Sequence, residues 1–138
     1  MTYIPESLRR EVRERAEGRC EYCLIHENYA LKKFEIDHIR AEKHGGMTIL
    51  ANLCQGCFDY NRHKGSDLSS VDPVTDEVVE LFHPRRDVWT DHFEIKPDGR
   101  IAGVSAKGRV TMRLLNFNNP ERVSLRAGLM ALGRYPGN

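Results

Sequence analysis

The chain lacks the features that would take it out of water. Nowhere does an apolar run approach the ~20 residues of a membrane-spanning helix. The first stretch, MTYIPESLRREVRERAEG, is charged from Glu6 onward and has no apolar signal core. We therefore expect a cytoplasmic protein with no membrane partner. Internal repeats and low-complexity segments are also missing, which excludes repeat arrays. Net charge is nearly absent at +1, so overall charge does not point to nucleic acid. Aromatic residues are few, and Tyr22, Trp89 and Phe93 read as core rather than as platforms for stacked bases.

Cysteine is scarce but patterned. The four cysteines form two Cys-x-x-Cys pairs, Cys20/Cys23 and Cys54/Cys57, with thirty residues between the pairs. In a cytoplasmic chain such pairs suggest metal before disulfides, and four thiolates on two knuckles can enclose a tetrahedral zinc. Acid is scarce in one place. From Gly99 to Asn138 there are seven basic residues and one acid, Glu121, a surplus of six. Arg109 and Arg113 lie there one turn apart and could share a phosphate-facing side, or simply a solvated face.

A chain of 138 residues, 40% of them hydrophobic, fits one domain with a real core. Residues 5–17 predict a helix, with Pro5 in its first turn, Leu8, Val12 and Ala16 on one face, and Gly18 as its stop. A strand is expected over 33–39, then a loop through Gly45 and Gly46, a short returning strand at 48–50, and a helix from about Cys57 to His63 stopped by Gly65. After a break at Asp72-Pro73, residues 78–82 read as a strand. HFEIK and RIAGV flank a Pro-Asp-Gly turn as a hairpin. Residues 110–115 suit a helix, and Pro120 can begin a last one through about Leu132.

The stretch FEIDHIRAEKHGG joins a carboxylate, Asp37, to an imidazole, His38. A divalent cation prefers hard oxygen ligands and needs only one or two from protein. Histidine can take a proton from water near neutral pH. Asn61 offers an amide oxygen on the expected short helix, and Asn52 could orient the His38 ring. Together these types fit metal-assisted hydrolysis of a phosphodiester. One tension is geometric: in a regular strand Asp37 and His38 point to opposite faces, so the strand must bend or end there.

EIDHI, AEKHGG, ANL and NRHKGSD together resemble the HNH endonuclease family. RCEYCLIHE at 19–27, Asp72-Pro73, LFHPR at 81–85, Trp89, HF at 92–93 and GRVT at 108–111 resemble a subgroup of small stand-alone bacterial members. The resemblance implies an α+β fold. Its centre would be a ββα-metal finger, a β-hairpin and a helix around one divalent cation, flanked by an N-terminal helix and a C-terminal hairpin and helix extension. The single domain 1–138 would have its core at about 19–68 and the extension at about 72–138. By the same resemblance His38 would be the general base, Asn52 the asparagine that positions it, and Asp37 and Asn61 the ligands of Mg²⁺ or Mn²⁺. His63 would be a weaker ligand, and Arg62 and Lys64 would face phosphate. The substrate implied is nucleic acid, DNA first, with RNA also open.

The sequence departs from that family at one place. Zinc-knuckle members carry Cys-x-x-Cys-Asn, but here Tyr60 stands directly before Asn61, and Cys54 comes one step early. Cys54 or His26 could complete a zinc site with Cys20, Cys23 and Cys57, or Tyr60 could fill the space without metal. The alternative function is a non-catalytic nucleic-acid-binding module that keeps a degenerate finger. Oligomeric state is open.

Overall fold

The structure is a computed structural model that describes residues 3–137. Helix α1 spans Glu6–Arg15. It lays Val12 and Leu8 against Ile4, Ile36, Leu50 and Leu53, while most of its Arg and Glu side chains stay in solvent. Two of these arginines still bond the backbone: Arg9 donates to the Ile4 carbonyl at 2.9 Å, and the Arg15 guanidinium donates to the Leu50 carbonyl at 2.9 Å and the Leu53 carbonyl at 2.7 Å. The helix is thereby tied to the chain entering β2.

Strand β1, Glu35–His38, pairs antiparallel with β2, Leu53–Gly56, with Asp37 opposite Cys54 and His38 opposite Leu53. The expected returning strand at 48–50 is instead a loop that enters a 3₁₀ turn at Leu50–Asn52. The real strand follows it. Its residues, Leu-Cys-Gln-Gly, are poor strand formers, but all four are buried, and tertiary packing overrides their weak propensity. Gly56 is needed there because a Cβ would press on the Tyr22 ring.

Helix α2, Phe58–Lys64, follows directly and ends at Gly65, as the sequence suggests. Strand β3, Ser69–Val71, pairs with β4, Val78–Glu80. β5, Phe93–Ile95, pairs with β6, Ile101–Gly103, in the expected hairpin. Helix α3, Ala106–Leu114, starts four residues before its expected beginning because Ser105 caps it, accepting from the Gly108 amide at 2.9 Å. Helix α4, Pro120–Ala131, is capped by Asn119. The architecture is α+β: small antiparallel sheets with helices packed on them. One buried cluster draws on both segments, joining Cys20, Cys23, Cys57 and Tyr60 to Phe82, Phe93, Phe117, Leu129 and Tyr135. Tyr22 and Phe93 are buried in it. Trp89 packs on Phe93 and donates its indole N–H to the Tyr22 carbonyl at 2.8 Å. These aromatics are core, as expected.

Asp72 anchors the extension. Its buried carboxylate accepts from the Val74 amide and the Thr75 hydroxyl within the β3–β4 turn, and from Arg109 on α3 at 2.9 and 2.8 Å. This overturns the expectation that Arg109 faces phosphate beside Arg113. Arg109 is spent on a two-pronged internal ion pair, while Arg113 remains exposed. The Arg109 guanidinium holds the Asp72 carboxyl well below the usual carboxylate range. A depressed folded value makes the pair stabilising at neutral pH, and that contribution fades as pH falls below the unfolded carboxyl value of ~3.9. Arg109→Met should therefore lower the melting temperature at pH 7. The gap from the wild type should begin to narrow as thermal melts are repeated from pH 4 toward pH 3, without closing there, because the folded carboxyl titrates well below that range.

Candidate active site

The knuckle that carries Cys20 and Cys23 is locked onto β2. Glu21 N–H donates to the Gln55 carbonyl and Gln55 N–H to the Glu21 carboxylate, each at 2.8 Å. A tight turn closes the knuckle, with Cys20 N–H on the Ile25 carbonyl at 2.8 Å. The Glu21 carboxylate also pairs with Arg85 from the extension. These bonds set the first cysteine pair beside Cys57 at the start of α2.

Three thiols converge. The sulfurs of Cys20, Cys23 and Cys57 all lie within 4.8 Å of one another, and all three residues are buried. The Tyr22 and Cys23 amides both donate to Cys20 Sγ at 3.4 Å, which offsets only part of the burial that opposes a thiolate there. Cys23 and Cys57 Sγ are 3.8 Å apart. A tetrahedral shell with metal–sulfur bonds of about 2.3 Å separates sulfurs by nearly this distance, so the trio could hold zinc. Burial, then the bond to Cys23, pushes the Cys20 thiol up. Cys57 is raised by donating to Cys20 and Cys23 and by burial. Burial opposes ionisation of Cys23 too, but hydrogen bonding with Cys20, Cys57 and the Ile25 backbone outweighs it and holds that thiol low.

Cys54 is not the fourth member. It lies on β2 opposite Asp37, its thiol donates to the Tyr22 hydroxyl at 3.6 Å, and burial pushes it up to about 11. The four-cysteine expectation thus reduces to three. His26 does not replace Cys54, since its Nδ1 caps the 3₁₀ turn Glu27–Tyr29 by accepting from the Asn28 amide.

The other face of α2 closes over the hairpin. Asp37, Asn61, Glu35 and Lys64 line one narrow cleft with Tyr22, Cys54 and Gly56. Glu35 and Asp37 are two residues apart on β1 and so share a face. The Asn61 amide nitrogen donates to Glu35 at 2.7 Å, which leaves the Asn61 oxygen as the free acceptor of that side chain. Arg62 donates to the other Glu35 oxygen at 3.0 Å and stacks over Phe58, with its side chain exposed. No side-chain hydrogen bond engages the half-buried Asp37 carboxylate among the described residues. Asp37 and Asn61 thus offer two oxygens to one cleft.

His38 is the last paired residue of β1, in regular register opposite Leu53, and it is not among the residues lining the Asp37 cleft. Its Nε2 lies 2.9 Å from the Thr48 hydroxyl. With Nε2–H donating to Thr48, Nδ1 carries the lone pair. Asn52 does not touch the ring. Its amide instead grips the backbone of the loop, accepting from Arg40 N–H at 2.9 Å and donating to the Arg40 and Met47 carbonyls at 3.0 and 2.8 Å. Asn52 therefore acts one step away, by fixing the loop that presents Thr48. Gly46 completes this turn, because a Cβ there would collide with the Arg40 carbonyl and the Asn52 amide.

Two further expectations change. Lys64 is 5% exposed and its ammonium donates to the Ile39 carbonyl at 2.9 Å, so it braces the end of β1 rather than facing phosphate. His63 turns away from the cleft and bonds the Leu115 carbonyl through Nδ1 at 3.2 Å, which removes it from the candidate metal ligands. Sequence reasoning missed Glu35 and Thr48. Glu35 was findable from its two-residue spacing to Asp37, whereas Thr48 is placed only by the loop that Asn52 fixes.

Residues 20–67 match the family model of the HNH endonuclease. This segment is an HNH domain. It begins at the first knuckle cysteine and ends just past α2, so it holds both the thiol trio and the Asp37 cleft. The chain is also similar to the Septu protein PtuA of Bacillus mycoides (strain KBAB4), 28% identical over 134 residues. That match covers 80% of this chain and 19% of the relative, so the chain spans about a fifth of its length. No solved structure gives a significant match. No helix among the described residues is long and apolar enough to cross a membrane.

Asn52→Ala removes three hydrogen bonds from the HNH loop. It should destabilise the protein by roughly 1–3 kcal/mol. Amide exchange should quicken over residues 40–48 before anywhere in α4, as read by hydrogen-exchange mass spectrometry.

Proposed function

We propose that this chain is a metal-dependent endonuclease that hydrolyses DNA phosphodiester bonds, with the hairpin β1–β2 and helix α2 as a ββα-metal finger. The observation that carries the reading is the convergence of Asp37 and Asn61 on one cleft, with His38 anchored at the adjoining end of β1. Asp37 and Asn61 would hold Mg²⁺ or Mn²⁺, the ions that suit an all-oxygen donor set. When bound, such a cation stabilises charge on the phosphoryl and leaving oxygens.

The chain's own residues do the rest. Thr48 holds the His38 ring through Nε2, and with the Thr48 hydroxyl accepting there, Nδ1 would take the proton of the attacking water. Glu35 holds the Asn61 amide so that its oxygen is presented to the cleft. Lys64 holds the carbonyl of Ile39 and so fixes the backbone next to His38. Arg62, exposed at the rim of α2 though paired there with Glu35, is the residue of this group that would meet a phosphate. Residues 1–138 act in this reading as one unit in the cytoplasm, because the extension shares its buried core with the finger.

The test is supercoiled plasmid with Mg²⁺, Mn²⁺ or EDTA. Conversion to open circle should require metal. His38→Ala should slow it by about 10²–10⁴-fold. Thr48→Val should give a smaller loss, because the imidazole remains but its ring is no longer held at Nε2. Equal inertness of wild type and His38→Ala on DNA, with both still shifting it in a gel, would instead support the binding-module reading.

A further inference from the structure

A second cavity opens where the finger meets the extension, beginning one residue past His38. Its volume is about 120 Å³, close to the ~150 Å³ that holds a benzene ring, so it has room for one six-membered ring. The buried side chains of Ile39, Leu81 and Phe82 give it an apolar floor. The segment LFHPR has no part in the proposed hydrolysis, yet it supplies Leu81, Phe82 and His83 to this lining. Lys64 lines both this cavity and the Asp37 cleft, so one side chain borders the two. A strand with a phosphate at Asp37 can therefore bring a neighbouring nucleotide to Ile39 and Arg40, at the cavity.

The polar lining is of mixed sign. Against Arg40, Lys64, Arg86 and Lys107 stand three carboxylates, Asp67, Glu80 and Asp87. Both lysines are already engaged, Lys64 on the Ile39 carbonyl and Lys107 on Asp87 at 3.0 Å. So nearly neutral a lining is a poor seat for a phosphate and a good one for a flat, uncharged ring with polar edges. It offers such an edge a donor and an acceptor. His83 Nδ1 accepts from Arg85 N–H at 3.1 Å. Burial, then the nearby Arg86 charge, holds His83 below its ordinary value, so the ring is neutral at pH 7 and its proton sits on Nε2. Asp87 receives His83 N–H and Lys107 on Oδ2, which leaves Oδ1 without a hydrogen-bond partner among the described residues. Arg40 and Arg86 are exposed, and neither has a carboxylate partner among the described residues. Planar guanidinium groups of this kind stack on bases.

We propose that this cavity takes one unpaired pyrimidine base of the substrate strand, beside the phosphate held at the Asp37 cleft, with the base edge read by His83 and Asp87. Cytosine brings its amino group to Asp87 Oδ1 and its N3 to His83 Nε2–H. Thymine or uracil brings N3–H and O4 to the same two atoms. The second ring of a purine exceeds the space. A base must leave its stack to enter, so the strand is single or locally opened at that nucleotide. The site rests on the reading of this HNH domain as a nucleic-acid enzyme, but it requires neither cleavage nor metal in the Asp37 cleft.

The experiment measures binding to the full chain without added divalent metal. Labelled single strands of equal length, all thymine, all cytosine, all adenine or abasic, are followed by fluorescence anisotropy. Both pyrimidine strands should bind about tenfold tighter than the abasic strand, and tighter than adenine. Asp87→Asn should shrink that advantage to roughly threefold or less. Its binding to the abasic strand should hold or strengthen, because a negative charge is lost. A strand carrying 5-iodouracil should cross-link under ultraviolet light to residues 81–87. Equal affinity for pyrimidine and abasic strands would overturn the proposal, as would adenine binding as tightly as the pyrimidines or no strand binding at all. So would an Asp87→Asn variant that gains equally on every strand, or cross-links confined to Tyr29 or Trp89. If Asp87→Asn fails to fold, the wild-type affinities and cross-links decide. A pyrimidine preference in a protein that never cuts plasmid would remove the nuclease reading and leave this site standing.

Discussion

Everything in this molecule turns on a helix too short to stand alone. Helix α2 has seven residues, well under the length at which an isolated helix holds in water. It survives because it is gripped on two faces. Asn61 and Lys64 reach the hairpin through Glu35 and the Ile39 carbonyl. Tyr60 and His63 reach the extension through Arg126 and the Leu115 carbonyl. Its first turn hangs from Cys57 in the thiol trio. Moving α2 would disturb the Asp37 cleft and the thiol cluster together. The extension therefore forms the second wall against which α2 is pressed.

Two ligand sets sit on either side of this helix, and their chemistry separates them. The Asp37 cleft is oxygen-lined and half-buried, which suits a hard, exchangeable cation that keeps water and substrate in its shell. The thiol cluster is closed to solvent and sulfur-rich, which suits a soft, permanent ion. In the proposed reading the difference in burial matters, because a reacting phosphate would have to enter the first site. The loop that Asn52 ties to Arg40 and Met47 carries Thr48, which meets the half-buried His38 ring.

Much of the site was legible in the sequence because its residues are close in the chain. Asp37 and His38 are adjacent, and Asn61 sits on a helix whose stop at Gly65 was plain. The hairpin β5–β6 and helices α1 and α4 were legible for similar local reasons: a Pro-Asp-Gly turn, an apolar stripe, a proline start. Long-range contacts were not. Strand β2 has poor local propensity and exists because β1, α1 and the knuckle bury it. Arg109 looked like a surface residue until folding brought Asp72, thirty-seven positions away, against it. Lys64 and His63 were misread because a seven-residue helix with partners on two sides leaves few positions free to face a substrate. The buried place of Tyr60 was not legible either, because Arg126, which donates to its hydroxyl, lies sixty-six residues later.

The central claim is that Asp37 and Asn61 share one cation on the hairpin side of α2. Paramagnetic broadening by Mn²⁺ in an amide correlation spectrum of the labelled protein tests it directly. Signals of residues 35–38 and 61 should broaden first as Mn²⁺ is added, and should recover with excess Mg²⁺. Asp37→Ala should abolish the effect at the same metal concentrations. Broadening centred on His63 and Leu115, or scattered over surface acids and unchanged in Asp37→Ala, would contradict the account.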